Sequence, residues 1–207
     1  FLYNRRTGKN LTYAKIVTGT YRKLTALLVV STIPTMLIGY QCKRLVVRTA
    51  ASHMFSGIGL LLTGVILLVV DYSSINGNKG TREANYGDAM WMGICQGVSV
   101  FPGISRLGLT MSAGLFCGMS RKFAVKYSLL MSIPAVIGAF IVEMGEFTSV
   151  SMTVGRGFTY VLGMLIAGVT GYLVIRFMVN FVNQLKLRYF AFYCFAAGII
   201  ALAVNYI

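Results

Sequence analysis

Apolar residues along the chain gather into five runs: Leu24–Cys42, Met54–Val70, Phe123–Val142, Phe158–Val179 and Tyr189–Tyr206. Each is close to the roughly 17–25 residues that cross a bilayer as an α-helix. The runs lack the polar face that a helix on a water-soluble core keeps. They predict an all-α, polytopic integral membrane protein: a single transmembrane domain over residues 1–207, with spans at about 24–42, 54–70, 123–142, 158–179 and 189–206. Asp71–Asp88 (DYSSINGNKGTREANYGD) is polar, carries Asn-Gly and Lys-Gly turn signals, and belongs outside the hydrocarbon. So does a short basic loop, Lys43–His53, while the basic stretch Phe1–Lys23 is expected along the interface.

Ala89–Ser120 departs from this scheme. Its middle reads FPGISRLGLT, Phe101 to Thr110, and sets a proline, an arginine and two hydroxyls inside an otherwise uncharged stretch. Pro102 and Gly103 interrupt the helix, and neither half is a comfortable span. The segment is either one kinked crossing or a re-entrant broken-helix hairpin over about 89–120. Basic residues decide between them. A hairpin puts thirteen Lys and Arg (in 1–23, 71–88, 119–126 and 180–188) on one side, against Lys43, Arg44, Arg48 and Arg156 on the other. A crossing splits them nine to eight. The positive-inside rule favours the hairpin, with Phe1 cytoplasmic and Ile207 outside. Broken elements near the midplane commonly belong to inverted-repeat folds, which is the expectation here. No second PGxSR-like break occurs. Pro34 in STIPTMLIG and Pro134 in MSIPAVIGA echo one another, and each also reads as an ordinary membrane-helix kink.

Composition agrees with the pattern. The chain is 57% hydrophobic and 12% charged, against about 25% charged in soluble domains, and its mean hydropathy is +0.74. A net charge of +14 would point to nucleic acid in a soluble protein. Here the basic residues fall largely in loops, where topology and anionic headgroups account for them, so membrane lipids and not nucleic acid are the expected partners. Collection of an anionic substrate is a second, compatible reading. Cys42, Cys95, Cys117 and Cys194 form no CxxC and read as buried small hydrophobes. His53, the single histidine, precedes a span and reads as interfacial. The chain opens at Phe1 without an initiator methionine or a signal-like segment, and is expected to be a piece of a longer protein.

An arginine at bilayer depth is costly and marks a path, a partner or a ligand. Arg106 offers a planar fork of donors that matches phosphate oxygens. A half-helix starting near Ile104–Ser105 would aim its free N–H groups and positive dipole end at the same point. Ser105 and Thr110 add hydroxyls, and Gly103 and Gly108 leave room for a bulky anion. Gln96, about two turns before Pro102, can hydrogen-bond a ligand or water but cannot act as a base. No acid lies between Asp88 and Glu143. The structural alternative is an arginine snorkelling to the interface, or paired with helix C-terminal carbonyls, Asp88 or Glu143.

Gly93-Ile94-Cys95-Gln96, the run Phe101–Thr110, and Ser128-Leu129-Leu130-Met131-Ser132-Ile133-Pro134 together resemble the undecaprenyl-diphosphate phosphatase family of bacteria, integral membrane enzymes linked to bacitracin resistance. The likeness covers nearly the whole chain. It implies hydrolysis of undecaprenyl diphosphate to undecaprenyl phosphate and inorganic phosphate, recycling the cell-wall lipid carrier in the bacterial plasma membrane. It implies that Arg106 grips the diphosphate, that Ser105 and Thr110 contact it, and that Pro102 and Gly103 shape a re-entrant turn whose pocket faces outward. It further implies a polyprenyl diphosphate as ligand and a divalent cation, Mg2+ or Ca2+, as cofactor; a homodimer is left open. Two departures stand out. Leu107 replaces a serine of the family pattern PGxSRSGxT, and the family's N-terminal motif, with its two glutamates and Ser-Ser-x-Gly-His run, has no match, so the metal ligands are expected in a missing N-terminal part. Two other readings remain: a headgroup-binding transporter or flippase, and a catalytically inactive membrane homologue.

Overall fold

The computed structural model describes residues 2–50, 52–73, 77–147, 154–182 and 187–204. Among these residues seven helices follow in order: α1 (Leu2–Ala50), α2 (His53–Tyr72), α3 (Tyr86–Val98), α4 (Arg106–Phe116), α5 (Arg121–Phe147), α6 (Val154–Val182) and α7 (Arg188–Val204). Four stretches among the described residues are long and apolar enough to cross a membrane: Gly19–Ala50, Met54–Tyr72, Arg121–Met144 and Gly157–Phe177. The protein is therefore an all-α polytopic membrane protein. The run expected at 189–206 forms the 17-residue α7, shorter than those four.

Two expectations need correction. The loop placed at Lys43–His53 is helix as far as Ala50, and only residues 51–52 separate α1 from α2. Residues 40–50 (YQCKRLVVRTA) hold no glycine or proline, and lysine and arginine are good helix formers, so nothing local stops the helix at the end of the apolar run. α1 also runs back through the basic stretch to Leu2, 49 residues in all, with Gly8 and Gly19 inside it. The cysteines are also less enclosed than expected. All four are free thiols, but only Cys194 is buried; the other three are partly exposed. The side chains of His53 and of residues 1–18 lie outside the described set.

Glycines set the closest helix contacts, as they do where lipid removes most of the hydrophobic drive between helices. On α2, a Cβ at Gly57 would lie 2.7 Å from Leu202 Cγ, and one at Gly64 3.0 Å from the Phe195 ring, so α2 and α7 meet almost backbone to backbone. Asp71 at the end of α2 ties the start of α7 and of α5. It accepts the Leu187 N–H at 3.0 Å and faces Arg121 at 3.8 Å and Arg188 at 4.0 Å. Gly93 and Gly97 do the same for α3 on α1, against the Ser31 carbonyl, Pro34 and Ile38, and Thr35 Oγ1 reaches Gly93 O at 2.9 Å. Between these pairs lies a core of Leu27, Met92, Met111, Leu115, Tyr127 and Met131. Tyr127 Oη donates to Ser31 Oγ at 3.2 Å, which satisfies the buried phenol.

The loop after α2 locks the α4–α5 corner. Gly118, at φ +82, ends α4 with Met119 N–H on Gly114 O and Gly118 N–H on Leu115 O, a paired closure that needs a left-handed residue. Lys79 then bonds across it, N–H to Gly118 O at 3.1 Å and O from Ser120 N–H at 3.0 Å. Its ammonium meets Asp88 at 3.2 Å, and Asp88 also completes the capping box of α3 with Asn85.

Candidate anion site

The break lies between α3 and α4. Ser99 closes α3, its N–H on Cys95 O and its hydroxyl on Gln96 O. Phe101–Ile104 is a tight turn with Ile104 N–H on Phe101 O at 3.3 Å. Pro102 stands second and Gly103 third, at φ +83, the order that a type II turn demands. Ser105 then caps α4: its backbone is extended and its Oγ accepts the Gly108 N–H at 3.1 Å.

α2 forms the bed beneath this turn. A Cβ on Gly103 would strike the Ser56 carbonyl, and one on Gly59 the Pro102 carbonyl, so two glycines let the backbones touch. Thr63, 2% exposed, completes the contact. Its Oγ1 accepts the Ser105 N–H at 3.0 Å, donates to Gly59 O at 2.9 Å and lies 3.4 Å from Gly103 O. Sequence reasoning passed over Thr63, Gly59 and Ser56. The available signal was a hydroxyl and two glycines embedded in the leucine run GLLLTG.

Four N–H groups at the start of a helix lack intrahelical partners. At α4 two are satisfied, Ser105 by Thr63 and Gly108 by Ser105. Those of Arg106 and Leu107 take no hydrogen bond among the described residues. The Arg106 side chain is exposed, with no hydrogen bond or ion pair among the described residues. Asp88, offered above as its partner, is held by Lys79 and the α3 cap. The start of α4 thus carries three donor groups, the guanidinium and two amides, with no partner among the described residues.

Arg106 borders a cavity of about 1030 Å3 between α1, α3 and α5. Its walls are largely apolar and come from the segments around Pro34 and Pro134, with Met36, Val100 and Gly138 among them. Lys43 and Glu143 also line it. Gln96, 1% exposed, reaches its wall. The amide Nε2 donates to Met131 O at 3.1 Å, whereas Oε1 has no partner among the described residues.

Of the residues singled out in the sequence, Pro102, Gly103, Ser105, Arg106 and Gly108 sit together at the turn. Gln96 and Arg106 share the cavity. Thr110 is different: it is 1% exposed and its hydroxyl donates to Arg106 O at 2.7 Å, so it supports the first turn of α4 from within. Gly108 is buried against the Ser105 side chain and Thr63 Cγ2, where it serves packing. Among the described residues no three His, Cys, Asp or Glu side chains gather as metal ligands.

The profile of the family described as "BacA: Bacitracin resistance protein BacA" matches residues 2–200. A protein named undecaprenyl-diphosphatase from Alkaliphilus metalliredigens is 38% identical over 201 residues, covering 95% of this chain and 70% of its own. Proteins of the same name from Desulforapulum autotrophicum and Carboxydothermus hydrogenoformans are 37% and 31% identical, covering 89% and 92% of this chain. The chain spans 66% and 73% of those two relatives.

Proposed function

We propose, from the premise that the chain belongs to the bacitracin resistance protein BacA family, that the protein hydrolyses undecaprenyl diphosphate to undecaprenyl phosphate and inorganic phosphate. The carrying observation is Arg106 at the head of α4, without a partner among the described residues, as are the two N–H groups beside it, and bordering a largely apolar cavity. A prenyl diphosphate has the matching parts, an anionic diphosphate head and an aliphatic tail. In this reading Arg106 binds two oxygens of the diphosphate in bidentate fashion, and the Arg106 and Leu107 amides take others. Charge gathers on these oxygens as the P–O–P bond breaks, and donors fixed beforehand in a low-dielectric site stabilise it there. Ser105 holds the helix end and keeps its own hydroxyl proton for the ligand. Thr110 acts through Arg106. Gln96 offers Oε1 as an acceptor to a water.

The reading includes a re-entrant α3–α4 hairpin within an inverted-repeat fold, in the bacterial plasma membrane with its pocket outward. Support comes from the thirteen-to-four split of basic residues and from the two proline-containing helix segments that face one cavity. A divalent cation, Mg2+ or Ca2+, belongs to the reading through the resemblance alone; the described residues offer no ligand set for it, and no step is routed through it.

The test is phosphate release from C55 prenyl diphosphate in detergent, by the longest native form of the protein, with Mg2+ or Ca2+ supplied. Arg106→Ala and Arg106→Lys should each lose most of the activity, the lysine because it keeps charge without the fork. The absence of acids from 89 to 142 favours a second reading, headgroup binding without cleavage. Tight lipid binding with no phosphate release, in a folded protein, would select it.

A further inference from the structure

We infer that Thr63, in the middle of α2, is the positioning residue for the anion-binding turn. This rests on the phosphatase reading above. Pro102 offers no N–H, Gly103 has no side chain, and the two peptides on either side of Ile104 are held by one hydrogen bond of 3.3 Å within the turn. Left alone, such a segment has little to fix the direction in which α4 starts. Thr63 is the side chain that anchors it from another helix. Its hydroxyl takes the Ser105 N–H at 3.0 Å and passes its own proton to Gly59 O at 2.9 Å, so acceptor and donor are both used.

The consequence falls on the neighbouring amides. With the Ser105 N–H turned toward α2 and the Gly108 N–H capped by Ser105 Oγ, the Arg106 and Leu107 N–H groups are the pair left over for a ligand. The same anchor fixes the Cα of Arg106 and so the base of its guanidinium. Thr63 Cγ2 lies under Gly108, where an added Cβ would be 3.5 Å away, so the methyl supports the first turn while the hydroxyl aims it. Removal of the hydroxyl alone leaves a part-buried N–H unpaired, and the turn escapes that cost by rotating Ser105 toward the cavity. Arg106 and its amides then miss the reacting phosphoryl group by a fraction of an ångström, enough to cost rate.

Thr63→Val keeps shape and β-branching and deletes the hydroxyl; Thr63→Ser keeps the hydroxyl and deletes the methyl. Both go into the longest native form of the protein, with three readouts: phosphate release from C55 prenyl diphosphate, competition by inorganic pyrophosphate, and thermal unfolding. Thr63→Val should lower kcat/KM by about 5- to 150-fold, the span that one unpaired buried donor sets. Thr63→Ser should restore most of it even where its unfolding temperature is the lower of the two. The inference is overturned if Thr63→Val turns over and competes like the parent, or if both variants lose activity in proportion to lost thermal stability. Pyrophosphate or lipid binding that depends on the Thr63 hydroxyl, without phosphate release by the parent, would keep the positioning role and sink the phosphatase reading. No binding of either ligand by the folded parent would remove both.

Discussion

Gly103→Ala tests whether the turn is shaped by its own backbone or by the helix beneath it. Gly103 and Gly118 share nearly the same left-handed conformation, φ +83 and +82. An alanine at either site meets the same backbone strain, about 1–2 kcal/mol. Their surroundings differ. At Gly118 the nearest atoms to an added Cβ are the flexible Cε and Cδ of Lys79, 3.7 and 3.8 Å away. At Gly103 the Cβ would run into the Ser56 carbonyl oxygen and lie 2.9 Å from Ser56 Cα, backbone of a helix already pressed against α7. Overpacking against such a surface costs a further 1–3 kcal/mol or so. Gly118→Ala should therefore destabilise by about 1–2 kcal/mol and Gly103→Ala by about 2–5 kcal/mol. Denaturant unfolding in one detergent, with both variants beside the parent, reads the difference. Equal losses would refute the claim that α2 forms the bed of the turn, because conformation alone would then account for both.

Two further predictions concern the same region. Ser105→Ala removes the α4 cap and should cost about 0.5–2 kcal/mol of stability; Ser105→Asp keeps a capping acceptor but sets a negative charge beside Arg106, so it should hold stability while losing pyrophosphate binding, measured by calorimetric titration and unfolding. In the loop after α2, the Gly80 N–H donates to Glu83 at 2.7 Å and holds that carboxyl below its ordinary value of 4.5. A lowered value means that the bond stabilises the loop above the ordinary carboxylate range and is lost as the pH falls through the lowered value; hydrogen exchange of the Gly80 amide should accelerate at acid pH relative to neighbouring amides, and Glu83→Gln should flatten that pH dependence.

Much of the site could be read before the fold was known, because its shaping is local. Proline at the second place of a turn and glycine at the third dictate the break at 102–103 whatever surrounds them. The roles of Thr110 and Gly108 were not legible in the same way. A hydroxyl four residues after Arg106 serves a ligand or the preceding turn of its own helix according to which face is buried, and burial is a property of the packed molecule. The extent of α1 shows the limit from the other side. A change from apolar to basic residues marks where the hydrocarbon ends, and says little about where a helix ends when no glycine or proline intervenes.

By itself the sequence determined that the chain lives in a membrane, that one segment is broken near its middle, and that an arginine stands at the break. Those follow from summed transfer energies and from backbone restrictions within a few residues, which need no partner. Only the tertiary structure decided that Thr63 meets Ser105 across 42 residues of chain, that Gly59 and Gly103 leave room for two backbones to touch, and that Asp88 is taken by Lys79 so that Arg106 is not. Hydrogen bonds and steric contacts of that kind reach only a few ångströms, so packing chooses which distant residues come close enough to make them.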